Sequence, residues 1–457
     1  MKSHGCAWTG CKPVQTVVAR GPVSRLLELL EEYRDQLTPD GCFFAMTSTE
    51  YDETGDVAGD FLDVIDRADQ LGYHYVNTIV YPTTQWQQAA FRDNVRYVVW
   101  LCRDRSRMTF HKDVIREKHI WKDVEWGKRA KNYNPKGKDP GNVWIPTEDD
   151  GRGHITRHLL LPDERVRDRL LHMTGCGDRC RVIWEELPIV TLPGKGGHWP
   201  DAPGPVRGRV VFGTSEHMDQ VSDSSVDVAV TSPPYWDLKD YFKAGQIGQE
   251  KYPQYLRRME QVWRECHRVL KDSGSLWVNI NIRSHGGKVI LLPRDFVIQC
   301  RRLGFHYKGI LIWHKSSGIP THDKNIVDRH EYVLVFSKET EFQVDLGRQR
   351  AICDYQEPEI NGGAFWNINR KAGSVGKKYI HPAIYPNQLV GRVVALASGR
   401  RGLALDPFLG SGTSLIAALQ NERDFVGYEY NEGFRELMEA RFQAELSEVQ
   451  IDWTKEI

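Results

Sequence analysis

The stretch that most constrains this 457-residue chain runs from Leu403 to Glu422, LALDPFLGSGTSLIAALQNE. An apolar strand, closed by Asp406 and Pro407, passes through a glycine-rich turn into a helix. Glycine lets the backbone turn sharply and approach a ligand closely. The helix start that follows offers unpaired N–H groups. A second apolar strand, Asp424 to Tyr428, ends at Glu429. An acid at the end of the second strand, about 20 residues beyond a glycine turn, suits ribose hydroxyls. Alone, the pattern also fits an ordinary strand-to-helix turn.

About 175 residues upstream, the apolar run Val226–Val230 breaks into Thr231-Ser232-Pro233-Pro234-Tyr235-Trp236. Two prolines remove two backbone donors and fix φ twice. The carbonyls there lose ladder partners and become available to a ligand's amino group, with Tyr235 as a flat face beside them.

The two motifs, in this order, resemble those of the β-class amino-methylating DNA methyltransferases over roughly residues 207–446. Ser232 to Tyr235 matches that family's catalytic [D/N/S]-P-P-[Y/F/W], and Asp406 to Thr413 its cofactor motif D-P-F-x-G-S-G-T. Gly274–Asn279, Gly309–Lys315, His330–Lys338 and His381–Pro386 resemble further landmarks of the family. The resemblance implies an α/β, Rossmann-like fold with a mostly parallel sheet flanked by helices, and S-adenosylmethionine as cofactor. It implies that Asp406, Pro407, Phe408, Gly410, Ser411, Gly412, Thr413 and Glu429 shape the cofactor site, with His381 and Tyr385 lining it. It implies that Ser232, Pro233, Pro234 and Tyr235 form the catalytic motif, Ser232 and Pro233 orienting an exocyclic amine and Tyr235 stacking on the base. The base must then leave double-stranded DNA to be reached. Serine at the first motif position leans, within the family, towards N4 of cytosine, with N6 of adenine as the alternative. A non-catalytic DNA-binding pseudoenzyme, or a methyltransferase acting on RNA or a small molecule, are the other readings. A cognate restriction endonuclease is the partner the resemblance implies, and the chain is expected to be a monomer or dimer.

The N-terminal half reads as a degenerate copy of the same fold. Leu26–Thr47 follows the pattern of Met259–Ile280, with Gly41 opposite Gly274. Leu71-Gly72-Tyr73-His74 stands opposite Leu303-Gly304-Phe305-His306, and Trp144 opposite Trp366. Pro162 and Gly175 stand opposite Pro386 and Gly399. The copy is expected to begin after the Ser-Pro-Pro-Tyr position and to stop at Gly175, before any cofactor motif. Residues 1–190 should then neither methylate nor bind cofactor, and 191–206, rich in Pro and Gly, should link them to a catalytic domain at 207–457. Family members often pair as dimers, and a fused chain of two related halves would imitate one.

The 61 basic and 61 acidic residues cancel, which excludes a globally basic coat. Residues 105–138, in contrast, hold 11 Lys+Arg against 4 Asp+Glu, interleaved with Trp121, Trp126 and Tyr133. That combination suits phosphate contact and base stacking, and it marks Arg105, Arg107, Lys112, Lys118, Lys122, Lys128, Arg129 and Lys131 as DNA-binding candidates. A solvated helix is the plainer reading. Cys6, Cys11, Cys176 and Cys180 could make a zinc site, but their spacing favours free thiols and no metal. Without a signal-peptide core or an apolar run of bilayer length, a cytoplasmic protein is expected.

Overall fold

The computed structural model describes residues 13–117, 134–150, 155–193, 196–197, 199, 202, 204–238, 243–315, 324–369, 374–375, 379–380, 385–446 and 450–455. The N-terminal half contains strand β1 (Val14–Arg20), helix α1 (Val23–Tyr33), β2 (Leu37–Thr47), α2 (Phe61–Gln70), β3 (His74–Gln88), β4 (Arg92–Cys102), α3 (Asp163–Thr174) and β5 (Cys180–Trp184). The C-terminal half contains β6 (Arg207–Phe212), β7 (Val226–Thr231), α4 (Tyr252–Val269), β8 (Leu270–Ile280), α5 (Leu292–Arg302), β9 (His306–His314) and β10 (His330–Ser337). It continues with β11 (Phe365–Asn367), α6 (Asn387–Ala397), β12 (Leu403–Asp406), α7 (Thr413–Gln420), β13 (Asp424–Glu429), α8 (Arg435–Glu445) and β14 (Gln450–Lys455). Helical periodicity explains the helices' buried faces: Leu26, Leu29, Leu30 and Tyr33 on α1, and Tyr255, Met259, Val262, Trp263 and Cys266 on α4.

The C-terminal sheet is ordered β11-β9-β10-β8-β7-β12-β13-β6-β14. Only β10 runs against its neighbours; the other pairs are parallel. Strands buried on both faces read as near-continuous apolar runs, as β7 does. The N-terminal sheet is ordered β3-β4-β2-β1-β5, with β4 antiparallel to both neighbours. That is the order and direction of β9-β10-β8-β7-β12.

Irregularities recur as well. The β3–β4 register shifts between Tyr75 and Asn77, and the β9–β10 register between Tyr307 and Gly309. Gly41 and Gly274 sit where a Cβ would come within 2.8 Å of a backbone oxygen. The Trp144 indole donates to Gly141 O, and the Trp366 indole to Gly363 O, both at 3.1 Å. Arg169 and Arg392 lie over these two indoles.

Three sequence expectations change. The N-terminal half does not begin after the Ser-Pro-Pro-Tyr position: β1 pairs with β2 as β7 pairs with β8, which puts Arg20-Gly21-Pro22-Val23 opposite Ser232-Pro233-Pro234-Tyr235. Nor does it stop at Gly175, because β5 occupies the place of β12. Beyond Phe442, β14 joins β6 at the sheet edge, where alternate residues of QIDWTK cover apolar neighbours. Cys176 and Cys180, expected to be free, are joined by a disulfide; Cys6 and Cys11 lie outside the described residues. No cluster suited to a metal occurs among the described residues. None of their helices is long and apolar enough to cross a membrane.

The halves are packed together rather than strung apart. Phe61 stacks on Tyr97 at 4.5 Å and meets Tyr332 of the other half at 5.1 Å. The Tyr307 hydroxyl donates to Asp60 at 3.0 Å, and Gly141 bridges Val327 as in a parallel sheet. Described residues of 191–206 meet both halves, Leu192 N donating to Gln88 O and Gly197 N to Val344 O.

Candidate active site

Strand β7 ends in Thr231 and runs on into Ser232-Pro233-Pro234-Tyr235. Its sheet neighbour β12 ends in Asp406 and runs on into the glycine turn. Across a separation of 175 residues, the Thr231 hydroxyl donates to Asp406 Oδ1 at 2.6 Å. The two motifs are therefore adjoining walls at one end of the sheet.

Asp406 is fully buried and is the junction of these walls. Phe408 N donates to Oδ1 at 2.9 Å, the Tyr385 hydroxyl to Oδ2 at 3.0 Å, and the Ser414 hydroxyl also to Oδ2. Burial pushes its carboxyl above the ordinary value, against the pull of these donors. Asp406 and Tyr385 thus face each other as a strut. His381 lies outside the described residues.

The turn itself needs glycine. Gly410 and Gly412 have φ of 57° and 81°, a region other residues enter at a cost. A Cβ on Gly412 would lie 2.6 Å from the Phe442 ring. Ser411 and Thr413 point inward: the fully buried Arg441 of α8 donates through Nη1 to Ser411 O, Ser411 Oγ and Thr413 Oγ1, at 2.8–2.9 Å. Glu429 closes the site at the end of β13. Its Oε2 accepts from Gly410 N at 2.8 Å and its Oε1 from Asn431 N at 2.7 Å. Burial raises its pKa to about 7 even with those bonds.

Around Ser232-Pro233-Pro234-Tyr235 the loop is pinned. Pro234 O, expected to be open to a ligand, instead accepts from the Tyr255 hydroxyl at 2.7 Å. Arg283 Nη1 donates to Tyr235 O at 2.7 Å, and the Trp236 indole to Glu250 O at 2.8 Å. Trp236 has φ of 51°, and such strain in a bulky residue gathers at functional sites. The Tyr235 hydroxyl donates to Glu331 Oε2 at 2.8 Å. Asn279 Nδ2 reaches Glu331 Oε2 at 2.8 Å, the Tyr235 hydroxyl at 3.0 Å and Ser232 Oγ at 3.3 Å. Lys315 Nζ lies 2.7 Å from Glu331 Oε1.

The chain is similar to known proteins. A family model for DNA methylases, covering the N6 and N4 enzymes, matches residues 226–440. The type II methyltransferase M.SmaI of Serratia marcescens is 30% identical over 268 residues, which span 51% of this chain and 90% of that protein. The chain belongs to this methylase family. M.Cfr9I of Citrobacter freundii is likewise 30% identical, over 267 residues, 50% of this chain and 85% of its own. The solved cytosine-N4-specific PvuII DNA methyltransferase overlaps 54% of this chain and 96% of its own, at 18% identity and a TM-score of 0.42.

The cofactor of such a methylase is S-adenosylmethionine. The residues present fit it: two left-handed glycines, a helix start behind them, and a strand-end carboxylate whose residue keeps 9% exposure. Sequence reading missed Asn279, Lys315, Glu331 and Arg441. The first three lie inside strands, or just past one, that read as plain apolar runs, so a polar residue interrupting a buried strand was the available signal. Arg441 lies on a helix whose charges look solvated in sequence.

In the methylase's N-terminal half, Arg20 stands at the Ser232 position. It bonds Asp163 Oδ2 at 2.7 Å and packs on Trp184. Of the basic candidates, Arg105 and Arg107 are exposed, while Lys112 lies 3.6 Å from Asp139. Lys118, Lys122, Lys128, Arg129 and Lys131 lie outside the described residues.

Proposed function

We propose that this type II DNA methyltransferase methylates N4 of cytosine in a specific double-stranded sequence, as the modification arm of a restriction system. The observation that carries the choice of amine is the Ser232 surroundings. A neutral hydroxyl faces the neutral amide of Asn279, and the carboxylate of Glu331 beyond it is turned to Lys315 and Tyr235.

The exocyclic amine of a nucleobase is a poor nucleophile because its lone pair is delocalised into the ring. Ser232 Oγ and Pro233 O accept its two N–H bonds, which draws the lone pair out of conjugation and turns it towards the cofactor wall. Tyr235, tied at its hydroxyl, offers a ring against the flipped base. The bound cofactor supplies an electrophilic methyl group on sulfur. Glu429 accepts from the ribose hydroxyls, while Pro407, Phe408, Gly410 and Gly412 form the loop around it. Ser411, Thr413 and Asp406 hold that loop to Arg441 and Thr231. Alignment of amine and methyl group then supplies much of the rate.

The N-terminal half, residues 1–190, is a silent copy of the fold that helps to hold DNA through the exposed Arg105 and Arg107 and the basic run after them. Arg20 filling the Ser232 position supports the silence. Mass spectrometry of nucleosides from DNA treated with the protein and S-adenosylmethionine tests the reading. N4-methylcytosine is expected; N6-methyladenine would move the activity to adenine, and no methylated nucleoside would leave a DNA-binding pseudoenzyme.

A further inference from the structure

The two halves provide an internal comparison. Residues that serve the fold recur in both: Gly41 and Gly274, Gly72 and Gly304, Trp144 with Arg169 and Trp366 with Arg392, Tyr97 and Tyr332. The polar set around Ser232 does not recur. Strand register places Arg96 opposite Glu331, because Tyr81 pairs with Arg96 as Trp313 pairs with Glu331. Met46 stands opposite Asn279, and Thr83 opposite Lys315. At these places the N-terminal sheet carries a buried guanidinium, Arg96, and a threonine, with Arg20–Asp163 as an ion pair of its own, so the Glu331–Lys315 pair is not part of the shared fold.

A buried ion pair is an expensive way to stabilise a sheet, since two charges leave water for one contact. Lys315 is 3% exposed and Glu331 18%. What the pair touches is the target pocket. A carboxylate only accepts hydrogen bonds, so Glu331 Oε2 fixes the hydroxyl of Tyr235 pointing inward and the amide of Asn279 with its Nδ2 towards it. That same Nδ2 then faces Ser232 Oγ.

We infer that Glu331 and Lys315 are positioning residues for the methyl acceptor: through Tyr235 and Asn279 they set the ring and the hydroxyl between which the target base is held. The inference rests on the proposed transfer to a base amine. Among the described residues neither side chain bonds the glycine turn, so cofactor affinity should be nearly unchanged without them.

The test uses the full chain, tritium-labelled S-adenosylmethionine and unmethylated plasmid DNA. Glu331→Gln keeps the shape and removes the charge, and Glu331→Gln with Lys315→Met removes both charges together. Expected for each is S-adenosylmethionine affinity within about twofold of wild type and a turnover loss of about a hundredfold, the scale of an ångström's misplacement. Tyr235→Phe, costly on its own, should cost under about threefold more when added to Glu331→Gln, because both cut one tether. Turnover within about threefold of wild type, losses that multiply, or a parallel loss of cofactor affinity would each overturn the inference. Wild-type protein that binds cofactor yet labels no DNA would instead overturn the proposed function, and the inference with it.

Discussion

If Glu429 takes the ribose hydroxyls as proposed, cofactor binding should be sensitive to pH near neutrality. Buried at the end of β13 and held at about 7, its carboxyl is roughly half protonated at pH 7 in the cofactor-free protein. Ribose hydroxyls need an acceptor, so the bound state selects the carboxylate. If only the ionised form binds, the apparent Kd scales with the reciprocal of the ionised fraction. Between pH 8 and pH 6 that fraction falls about tenfold, or about 1.4 kcal/mol of binding free energy. At pH 7, binding should release roughly half a proton. Isothermal titration of S-adenosylmethionine at pH 6, 7 and 8, in buffers of different ionisation enthalpy, reads both quantities. The sign for stability is opposite. Raised above the unfolded value of 4.5, Glu429 binds more protons in the folded than in the unfolded state. Its contribution to stability is thus full at low pH and is lost as pH rises from about 4.5 through 7, by about 3 kcal/mol. Cofactor should therefore raise the Tm more at pH 8 than at pH 6. Equal Kd at pH 6 and pH 8, with no buffer-dependent heat, would refute the assignment of Glu429 to the ribose. Glu429→Gln should bind more weakly and lose the pH dependence.

Other perturbations test the remaining walls. Gly412→Ala places a Cβ at 2.6 Å from the Phe442 ring at φ of 81°, and cofactor affinity by titration should fall by about 1–3 kcal/mol. Arg441→Met leaves Ser411 and Thr413 without their donor, and chemical denaturation should show a loss of about 3 kcal/mol or more. Thr231→Val removes one of the donors to buried Asp406; a stability loss of about 1–3 kcal/mol is expected by the same measurement. Arg105→Ala with Arg107→Ala should weaken DNA binding about equally for all sequences. It should lower the slope of log K against log salt by about two, measured by fluorescence anisotropy.

The cofactor wall was legible because its chemistry is local: a strand, two obligatory glycines and a strand-end acid lie within 30 residues, and each leaves a mark on residue type. The target wall was half legible. Ser232 to Tyr235 announce themselves through two prolines, but Asn279, Lys315 and Glu331 reach them from β8, from just after β9 and from β10, and only the sheet order makes them neighbours. The copy in the N-terminal half was visible in its helices and glycine turns, yet β1 escaped notice. VQTVVAR lacks the double proline, and an apolar heptamer by itself does not say which strand it repeats. The strand at the C-terminal edge was hidden for a similar reason: QIDWTK is short, half polar and apolar only at alternate places.

The packing between the halves ties them into one core. Equivalent elements meet there: α2 lies against α5, and Arg294 of α5 bonds Asp63 of α2 at 3.0 Å. Tyr307 gives its hydroxyl to Asp60, the N-cap of α2, while Asp295, the matching residue of α5, takes the Tyr252 hydroxyl of its own half. Lys308, 1% exposed, is bonded to Asp56. Phe61 fills the space beside Tyr332, which stands on β10 one residue from Glu331. Removing the N-terminal half would therefore leave Lys308 without its counter-charge and open an aromatic face directly behind the strand that carries Glu331. A large exposed apolar patch is costly. The N-terminal half is thus part of the core behind β10, the strand that carries Glu331.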